Sequence, residues 1–422
     1  MMVFIAACSF ILWIVLFFFH GRFWRRGPIL YSLPKTTLES IQEKWPDVYV
    51  IIPARDEADT IEKVTNSLLH QDYMGQYRVL VVDDGSSDNT GGIVRNYRQT
   101  LSLEDQERLD VIETSTRPAG WSGKLWGLST GVDYIKQRYS TENAFFFFTD
   151  ADIDHEPSHL TALVYKAQKD QLDQVSEMVQ LRCENIYEKA CIPAFVYFFC
   201  MLYPFACVNK KSSKVAAGAG GTVLIRSNML NKIGGVASLK SALIDDVTLA
   251  TLVKKHGGNI YLGHSSLASS LRPYDELSDI WNMITRTAYV QLRYSVPFLL
   301  LTVVLMSLMW FVPLIQIFTA QGFAHKLAIV AYAISICSFI PTLSRFRLSF
   351  LWIFALPFIA LFYLLATIGS AVNYYRGKGM MWKGRAYTAP AIGDGKKELH
   401  LHLPDMVSSD NIQQANIQRD SE

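Results

Sequence analysis

The distribution of apolar residues is the feature that most constrains the fold of this chain. An uncharged stretch covers residues 2–20, and three more apolar blocks, Val296–Ala320, Leu327–Leu343 and Phe350–Val372, lie towards the other end. Each block is close to the length that a helix needs to cross a bilayer. The chain is therefore predicted to be a membrane protein that carries a soluble domain between its apolar ends.

Basic residues beside these blocks predict the orientation in the membrane. Arg22, Arg25 and Arg26 directly follow the first block, which places that end of the helix in the cytoplasm. A secretory signal peptide would carry its charges before the apolar core and a small-residue cleavage site after it, and neither feature is present. We expect a multi-pass protein of the cell (inner) membrane whose soluble domain is cytoplasmic.

The last two blocks give conflicting topology signals. Basic residues follow both: Arg345 and Arg347 after the third block, and Arg376, Lys378, Lys383 and Arg385 after the fourth. Four complete spans cannot place both groups in the cytoplasm. One block is therefore expected to be re-entrant or to lie flat, and the last block with its Pro357 is a candidate.

Overall composition excludes some function classes. Forty basic and thirty-eight acidic residues give a formal net charge of +2, which provides no electrostatic argument for nucleic acid as a partner. The six cysteines contain no CxxC pair and no closely spaced framework. They are predicted to be reduced packing residues.

Short apolar runs in the central region predict a parallel sheet. Each run ends where turn or charged residues begin. The four runs are Tyr49–Ile52, Val79–Val82, Leu109–Ile112 and Phe145–Phe148, and the helical segments between them are Ile61–Leu69, Gly92–Leu101 and Leu125–Arg138. These connections are long enough for parallel crossovers, so a Rossmann-like α/β domain is predicted.

Five segments follow from these patterns. They are an N-terminal transmembrane anchor at 1–21, the α/β domain at 45–270, an amphipathic interfacial helix at 271–295, C-terminal transmembrane helices at 296–374, and a polar, partly disordered tail at 375–422. The interfacial helix is predicted because apolar residues recur at helical spacing from Trp281 to Leu292, with Arg286 and Arg293 between or after them.

Acidic residues follow three of the predicted strands. The first strand ends in PARDE at 53–57, the second in DDGS at 83–86 and the fourth in TDAD at 149–152. Ligands of such sheets bind at the carboxyl ends of the strands, so these side chains are expected at one site. Asp150 and Asp152 can together approach one hard divalent ion. Taken alone, the pair Asp83 and Asp84 is equally consistent with a turn that caps a helix.

Four segments carry a resemblance to a known family. They read PARDE (53–57), VVDDGSSDNT (81–90), GWSGKLWGL (120–128) and FTDADIDHEP (148–157). With them, residues 48–295 resemble family 2 glycosyltransferases with a GT-A domain. Within that family the chain looks most similar to the hopene-associated glycosyltransferases, through segments at 120–124 and 286–289, and more distantly to ceramide glucosyltransferase-like enzymes.

The resemblance implies a site for a nucleotide-sugar donor. Asp84, with Asp83 beside it, matches the position that hydrogen-bonds the nucleotide base, and Pro53, Ala54 and Glu57 border the same pocket. An aspartate that accepts a hydrogen bond from a ring N–H favours a uracil-type base. A UDP-sugar is therefore the expected donor.

Further positions match groups around the donor diphosphate. Lys124 matches a basic residue there, although a solvated surface lysine is an alternative. Asp150 and Asp152 match the DXD motif and imply Mg²⁺ or Mn²⁺, with Asp152 favoured as the direct ligand. Arg293 corresponds only weakly to a diphosphate contact, because Gln291-Leu292-Arg293-Tyr294 departs from the family's Gln-x-x-Arg-Trp motif. An anchor for lipid head groups is the alternative for Arg293.

The general base is implied by an acidic pair. Asp246 matches the second acid of the usual Glu-Asp pair, and Asp245 replaces the glutamate, so Asp245 stays a second candidate. The glycine run at 218–221 matches a segment that lets the acceptor approach the backbone. A base that removes the acceptor proton while the oxygen attacks opposite the leaving diphosphate would invert the anomeric centre.

Two other groups have competing interpretations. Cys191–Val208 is apolar but contains two prolines and is judged too short to span comfortably, so it either lines an acceptor groove or forms a buried core helix. His155 and His159 lie near the DXD motif but are predicted to be structural, because hard oxygen ligands suit the expected ion better.

Together these features predict an inverting, metal-dependent glycosyltransferase of the hexosyl type that transfers a sugar to a hydroxyl of a membrane lipid. A hopanoid acceptor is implied by the resemblance alone. One alternative is a processive polysaccharide synthase, against which the altered Gln-x-x-Arg-Trp motif and the small number of helices argue. Another is a non-catalytic membrane scaffold, against which the acidic motifs at Asp84, Asp152 and Asp246 argue.

Overall fold

The computed structural model describes residues 1–34, 36–37, 44–377, 380–382 and 385–387. Nearly all of the predicted polar tail lies outside these residues, as do Lys378 and Lys383 of the last basic group.

A mixed sheet forms the centre of the described soluble domain. Its strands are β1 (Ile29–Leu30), β2 (Val48–Ala54), β3 (Tyr77–Asp83), β4 (Leu109–Glu113), β5 (Phe145–Thr149), β6 (Ile153–His155), β7 (Gln174–Gln180), β8 (Thr222–Arg226) and β9 (Ile260–Ser270). Their order is β1-β9-β7-β8-β5-β2-β3-β4, with β6 paired to β9. The α/β fold class is confirmed, and β2, β3, β4 and β5 pair in parallel as predicted.

The helices surround this sheet and extend beyond it. In chain order they are α1 (Met2–Ile14), α2 (Ile61–Leu69), α3 (Thr90–Thr100), α4 (Leu103–Arg108), α5 (Gly123–Arg138), α6 (His159–Lys169), α7 (Ile186–Leu202), α8 (Phe205–Val208), α9 (Ser227–Lys232), α10 (Asp245–Lys255), α11 (Leu277–Gln291), α12 (Val296–Met306), α13 (Val312–Thr319), α14 (Gly322–Cys337), α15 (Ile340–Arg345) and α16 (Leu356–Tyr375). π-Helical segments follow α1 at Val15–Phe19 and join α12 to α13 at Ser307–Phe311. 3₁₀ turns lie at Val236–Leu239 and Phe350–Ala355.

Burial on both faces explains the unbroken apolar runs of the central strands. Phe145–Phe148 of β5 are all buried, as expected for a strand covered by helices on either side. Along β2, Val50 and Ile52 belong to one core cluster, whereas Tyr49 and Ile51 belong to the cluster on the opposite face. This alternation follows from the two-residue period of a strand.

The connections create a crevice at one edge of the sheet. From β2 the chain continues to β3 on one side, and it later returns to β5 on the other side of β2. Such a reversal of strand order is where ligands bind in open α/β sheets. Helix α5 begins beside this point, and the Ser122 hydroxyl accepts a hydrogen bond from the Leu125 amide at 3.1 Å as its N-cap.

Five helical stretches among the described residues are long and apolar enough to cross a membrane: Met2–Phe19, Ile186–Val208, Val296–Thr319, Gly322–Arg345 and Phe350–Tyr375. The second corrects the expectation that this region is too short to span, because the helical stretch begins at Ile186 rather than at Cys191. Its residues are shared between two cores, since Val196 packs in the soluble domain and Tyr197 in the cluster formed by the apolar helices.

Three of these stretches pack side by side along their length. Trp13 in α1 donates a hydrogen bond to the Met309 carbonyl at 2.7 Å, and Ala6 packs against Ala320 and Ala324. At the start of α1, the Met2 carbonyl accepts a hydrogen bond from Gln316 at 3.2 Å. The N-terminus of α1 therefore lies at the same end of this group as the turn between α13 and α14.

The last apolar stretch packs along α11 and also joins the core cluster that the other apolar helices form. Gly369 of α16 faces the indole of Trp281, and an added Cβ would lie 2.8 Å from that ring. The Ser370 hydroxyl donates to the Thr285 carbonyl at 2.5 Å and accepts from the Tyr289 amide at 3.1 Å. The apolar face of the predicted interfacial helix is thus covered by α16 along most of its length.

Candidate functional site

Acidic residues from three strand ends meet at the crevice, as expected from the sequence. The Asp84 amide donates to the Ala54 carbonyl at 2.9 Å, which joins the ends of β3 and β2. Asp150 and Asp152 follow β5 on the other side of β2. Arg55 links the first two strand ends through a 2.5 Å hydrogen bond to the Asp84 carbonyl.

Asp83 and Asp84 have different surroundings. The Asp83 carboxylate accepts hydrogen bonds from the amide and hydroxyl of Ser86 at 2.9 and 2.5 Å, so Asp83 serves the turn that the sequence left as an alternative. A Cβ at Gly91 would lie 2.6 Å from the Asp83 carboxylate, which requires glycine at this point of α3. Asp84 accepts a hydrogen bond from the Thr114 hydroxyl at 3.0 Å. The base-binding role is therefore a proposal for Asp84 rather than for Asp83.

Pro53, Ala54 and Glu57, the other residues predicted for the base pocket, lie in different surroundings. Pro53 is buried in β2 and packs under α5, where a Cβ at Gly127 would lie 3.1 Å from its ring. Ala54 is buried at the end of the same strand. Glu57 lies on the loop beyond it and forms an ion pair with Arg272 at 3.6 Å. Glu57 thus reaches the crevice, whereas Pro53 supports it from behind.

Arg272 also lies at the crevice, although it is not among the residues predicted from the sequence. Its guanidinium lies 3.0 Å from the Asp152 carboxylate and also pairs with Glu57, so it joins two of the acidic strand ends. Asp152 and Glu57 raise the pKa of Arg272 despite its burial. Arg272 follows β9, and the rule that polar residues after strands form the site could have found it had β9 been predicted.

Lys124 lies at the centre of the acidic residues. Its ammonium is 2.6 Å from Asp150 and 3.9 Å from Asp245, and it donates to the Gly220 carbonyl at 3.3 Å. Burial alone would lower the pKa of Lys124, but Asp150 and Asp245 outweigh it and raise the pKa above its ordinary value. Lys124 is therefore a permanent cation of the site and not the solvated surface lysine of the alternative.

Asp246 stands next to Lys124 at the start of α10. Burial and the neighbouring Asp245 raise the pKa of Asp246 to about 7. Asp246, Asp245, Lys124 and Gly220 line one cavity, whose remaining walls are apolar. A carboxyl with a pKa near neutrality, partly removed from water, suits a general base.

The glycine run permits this close arrangement. A Cβ at Gly220 would lie 3.4 Å from the Lys124 ammonium and 3.5 Å from the Asp246 carboxylate, and one at Gly218 would lie 3.0 Å from the Asp246 carbonyl. The sequence leads us to expect room for an acceptor at these glycines. In the structure they make room for Lys124 and the first turn of α10.

Asp150 and Asp152 of the DXD segment are the predicted metal ligands. Among the described residues, no group of three or more His, Cys, Asp or Glu side chains converges on a common point. Mg²⁺-type ions, however, are commonly held by one or two carboxylates together with substrate phosphates and water. Asp150 and Asp152 fit such a site, in which Lys124 and Arg272 now balance their charges.

The remaining sequence candidates lie elsewhere. Arg293 is exposed in the turn after α11, with a φ of 55°, and within the described part of the chain its side chain forms no hydrogen bond or ion pair. His155 and His159 are buried, and their ring nitrogens contact Thr149, each other and Glu177. The structure therefore does not bring Arg293 to the acidic residues, and it engages both histidines within the protein.

Comparisons with known proteins find a glycosyltransferase domain within this chain. Residues 49–234 match the sequence profile described as Glycosyl transferase family 2. The chain is 29% identical over 119 residues to the polyprenol monophosphomannose synthase of Mycolicibacterium smegmatis, covering 27% of this chain and 38% of that protein. It is 23% identical over 162 residues to the beta-monoglucosyldiacylglycerol synthase of Trichormus variabilis, covering 38% of this chain and 32% of that protein.

The matched region thus spans about a third of the length of these curated relatives. Among solved structures, the mannosyltransferase PcManGT from Pyrobaculum calidifontis, in complex with GDP-Man and Mn²⁺, matches with a TM-score of 0.51 and 18% identity. The match covers 88% of this chain and 99% of that one. At 18% identity, this structural match shows a shared fold and no more.

Proposed function

From the family 2 glycosyltransferase domain that this chain contains, we infer that the protein transfers a sugar from a nucleotide-diphosphate donor to a hydroxyl of a membrane lipid, with inversion at the anomeric carbon. The observation that carries this proposal is one cavity, in which Asp246 lies beside Lys124. The pKa of Asp246 is raised to about 7, and Lys124 forms an ion pair with Asp150. This cavity supplies a proton acceptor and a cation together.

The donor base is assigned to the pocket of Asp84, Ala54 and Glu57. A carboxylate in this pocket accepts a hydrogen bond from a ring N–H, as uracil provides, and guanine also carries ring and exocyclic N–H donors. PcManGT was solved with GDP-Man. We favour a UDP-sugar and make GDP-sugars the competing arm of the test.

The donor diphosphate is assigned to the cations Lys124 and Arg272. Both lie beside the DXD carboxylates, whereas Arg293 has no such contact, so Arg272 replaces Arg293 as the second candidate. A Mg²⁺ or Mn²⁺ ion held by Asp152, with Asp150 beside it, would neutralise charge on the departing nucleotide. Once Asp150 and Asp152 bind the metal, the diphosphate oxygens would replace them as the anionic partners of Lys124 and Arg272.

Asp246 is assigned the proton transfer. Its carboxylate takes the proton of the acceptor hydroxyl as that oxygen bonds to the anomeric carbon, and the bond to the nucleotide diphosphate breaks on the opposite face. A single displacement of this kind inverts the anomeric centre. Lys124 holds its positive charge throughout and orients the donor.

The raised pKa of Asp246 gives the reaction a defined pH dependence. Transfer requires the carboxylate, which is present above the pKa, so kcat/KM is expected to rise with pH and to level off above about 7. Asp245→Asn removes a negative neighbour and lowers the pKa of Asp246, so this acid limb should move to lower pH. The profile is measured by nucleotide release between about pH 5 and about pH 9.

Asp110→Asn, which changes a carboxylate on β4 beside Tyr134, is the matched control and should leave the limb unchanged. An Asp245→Asn profile that superimposes on the wild type would show that Asp245 and Asp246 do not interact as assigned.

The packing of the apolar helices supports a membrane topology. We assign Met2–Phe19, Val296–Thr319 and Gly322–Arg345 as the crossing helices. At the domain-facing end of this group, Arg345 donates to the Ser265 carbonyl of β9 at 3.0 Å, and His20 contacts the Met201 carbonyl at 2.7 Å. With Arg22 and Arg345 at that end, the positive-inside rule places the catalytic domain in the cytoplasm.

The stretch Phe350–Tyr375 is assigned to the cytoplasmic surface of the bilayer. It follows Arg345 directly, and its other end returns to the domain side, where the Tyr375 hydroxyl lies 3.2 Å from that of Tyr289. A stretch with both ends on one side places Arg376 in the cytoplasm together with Arg345. This removes the conflict between the two basic groups and agrees with the flat or re-entrant last block.

Contact between the α/β domain and these helices supports a lipid acceptor. The α7 helix carries residues of the soluble core and of the apolar helix cluster, and at its end the Tyr203 hydroxyl accepts a hydrogen bond from Gln291 of α11. A hydroxylated lipid lying among these helices would therefore be next to the catalytic domain. A hopanoid belongs to this chemical class, as do a polyprenol and a diacylglycerol derivative.

The test uses the purified full chain in lipid nanodiscs with Mn²⁺. Nucleotide release is followed for a panel of UDP- and GDP-sugars, with and without a lipid extract and with a hopanoid, a polyprenol or diacylglycerol added singly. Release from one donor that depends on one lipid is expected. No release from any donor would favour a non-catalytic scaffold, and growth of a water-soluble polymer would favour a polysaccharide synthase.

A further inference from the structure

A buried polar chain lies beneath the DXD loop and takes no part in the proposed reaction. It runs from Glu177 in β7 to His159 in α6 at 2.8 Å, from His159 to His155 in β6 at 2.9 Å, and from His155 to the Thr149 hydroxyl at 3.1 Å. The Thr149 hydroxyl then donates to the Gly221 carbonyl at 3.0 Å. The side chains of Glu177, His159, His155 and Thr149 are each at most 4% exposed.

The number of available protons determines which group donates in each hydrogen bond from His159 to Gly221. Thr149 uses its only proton for the Gly221 carbonyl, so it accepts from His155, whose Nε2 must carry a proton. Burial and the neighbouring His159 hold the pKa of His155 far below its ordinary value, so its Nδ1 carries none. His159 must therefore donate from Nδ1.

One further proton then remains between His159 and Glu177. Either His159 is protonated at both nitrogens beside a carboxylate, or it accepts at Nε2 from a protonated carboxyl. Both arrangements leave the pair neutral overall, which lowers the cost of burying it. Glu177 thus forms one end of this network and holds His159 at Nε2, while the hydrogen bond from Thr149 to Gly221 determines the donors of the bonds between them.

The positions of these bonds relate the chain to the candidate site. Thr149 and His155 flank the loop 150–154, so their mutual hydrogen bond closes it at its base. Gly221 follows Gly220, which contacts Lys124, and the Asp150 amide also donates to the Gly221 carbonyl at 3.3 Å. The buried polar chain from Glu177 to Thr149 therefore fixes the DXD loop relative to the glycine segment that contacts Lys124 and Asp246.

We propose that Glu177 and His159 are positioning residues that hold Asp150 and Asp152 in the geometry needed to bind a divalent cation with the donor diphosphate. This inference rests on the proposed function, because it assigns the loop to metal and donor binding. Groups that orient metal ligands from outside the ligand set typically change metal affinity about 10- to 100-fold when they are replaced.

The test compares Glu177→Leu with Glu177→Gln in nanodiscs. Leucine cannot hydrogen-bond to His159, whereas the glutamine amide can donate to its Nε2 and preserve every other bond in the chain. The affinity for Mn²⁺ in the presence of UDP, measured by electron paramagnetic resonance, is expected to fall about 10-fold or more in Glu177→Leu. In Glu177→Gln it is expected to stay close to the wild-type value.

Thr161→Val is the matched control for general damage to α6. Thr161 is buried on the same helix, but its hydroxyl contacts Asp72 at 3.1 Å instead of the chain. It should leave Mn²⁺ affinity unchanged. Wild-type affinity in a folded Glu177→Leu protein would overturn the proposal.

A second readout applies even if Glu177→Leu does not fold. In the wild-type protein labelled with ¹⁵N-histidine, His155 should be neutral with its proton on Nε2, and His159 should be protonated at Nδ1. A proton on Nδ1 of His155 would overturn the assigned direction. Neither readout involves sugar transfer, and a wild type that binds no Mn²⁺ would instead contradict the metal site of the proposed function.

Discussion

Replacing Asp246 with asparagine is expected to lower sugar transfer by about 10²-fold or more, as the loss of a general base typically does. Asparagine keeps the shape of the side chain and can still accept the hydrogen bond that the Val247 amide makes to Asp246 at 2.7 Å. It cannot take a proton from the acceptor hydroxyl. The loss should therefore appear in kcat, while the affinities for donor and Mn²⁺ stay near those of the wild type.

Transfer is measured with the active donor and lipid, and donor affinity is measured separately by calorimetry. Asp245→Asn is the natural control, since it removes the adjacent carboxylate of the same cavity. It should move the pH limb and retain most of the maximal rate. If the two variants exchange these phenotypes, Asp245 is the base, and if Asp246→Asn is fully active, neither the base nor the inverting mechanism is correctly assigned.

Replacing Asp152 with asparagine is the second change with a large expected effect. The substitution removes the negative charge that is proposed to hold the metal, and it ends the ion pair of Asp152 with Arg272 while the pair of Arg272 with Glu57 remains. A bound metal contributes several kcal/mol to the stabilisation of charge on the leaving group, and each 1.36 kcal/mol corresponds to about tenfold in rate. Donor turnover should therefore fall by about 10²-fold or more.

Asp154→Asn provides a control on the same loop. Asp154 forms a partly exposed ion pair with Lys63 at 2.9 Å, and such pairs near the surface contribute little to stability. Mn²⁺-dependent release of nucleotide should persist in this variant and be lost in Asp152→Asn. Equal dependence on Mn²⁺ in both variants would remove Asp152 from the metal site.

Much of the fold follows from local patterns in the sequence. The unbroken apolar run Phe145–Phe148, which ends at polar residues, predicts a buried strand, and β5 is such a strand. Helix Ile61–Leu69 begins and ends where the sequence predicts, because its apolar residues recur at the period of a helix. Since parallel strands end at a common edge, the acidic residues after them could also be assigned to one site.

The roles of individual site residues required the tertiary structure. Asp83 and Asp84 are adjacent and chemically identical, yet only the position of Ser86 and Gly91 makes Asp83 a turn residue. Arg272 lies far along the chain from Asp152, and β9 brings the two together. Such pairings depend on contacts between distant segments, which periodicity and composition do not encode.

In the membrane region, too, the sequence determined some features and the tertiary structure decided others. The sequence by itself determined that the chain has apolar helices at both ends and a polar α/β domain between them, because helix length and charge are local properties. Only the tertiary structure decided that the last helix packs against α11 and that α7 belongs to two cores. An apolar helix can be buried either in lipid or against protein, so its partner depends on how well the surfaces that the rest of the fold presents pack against it.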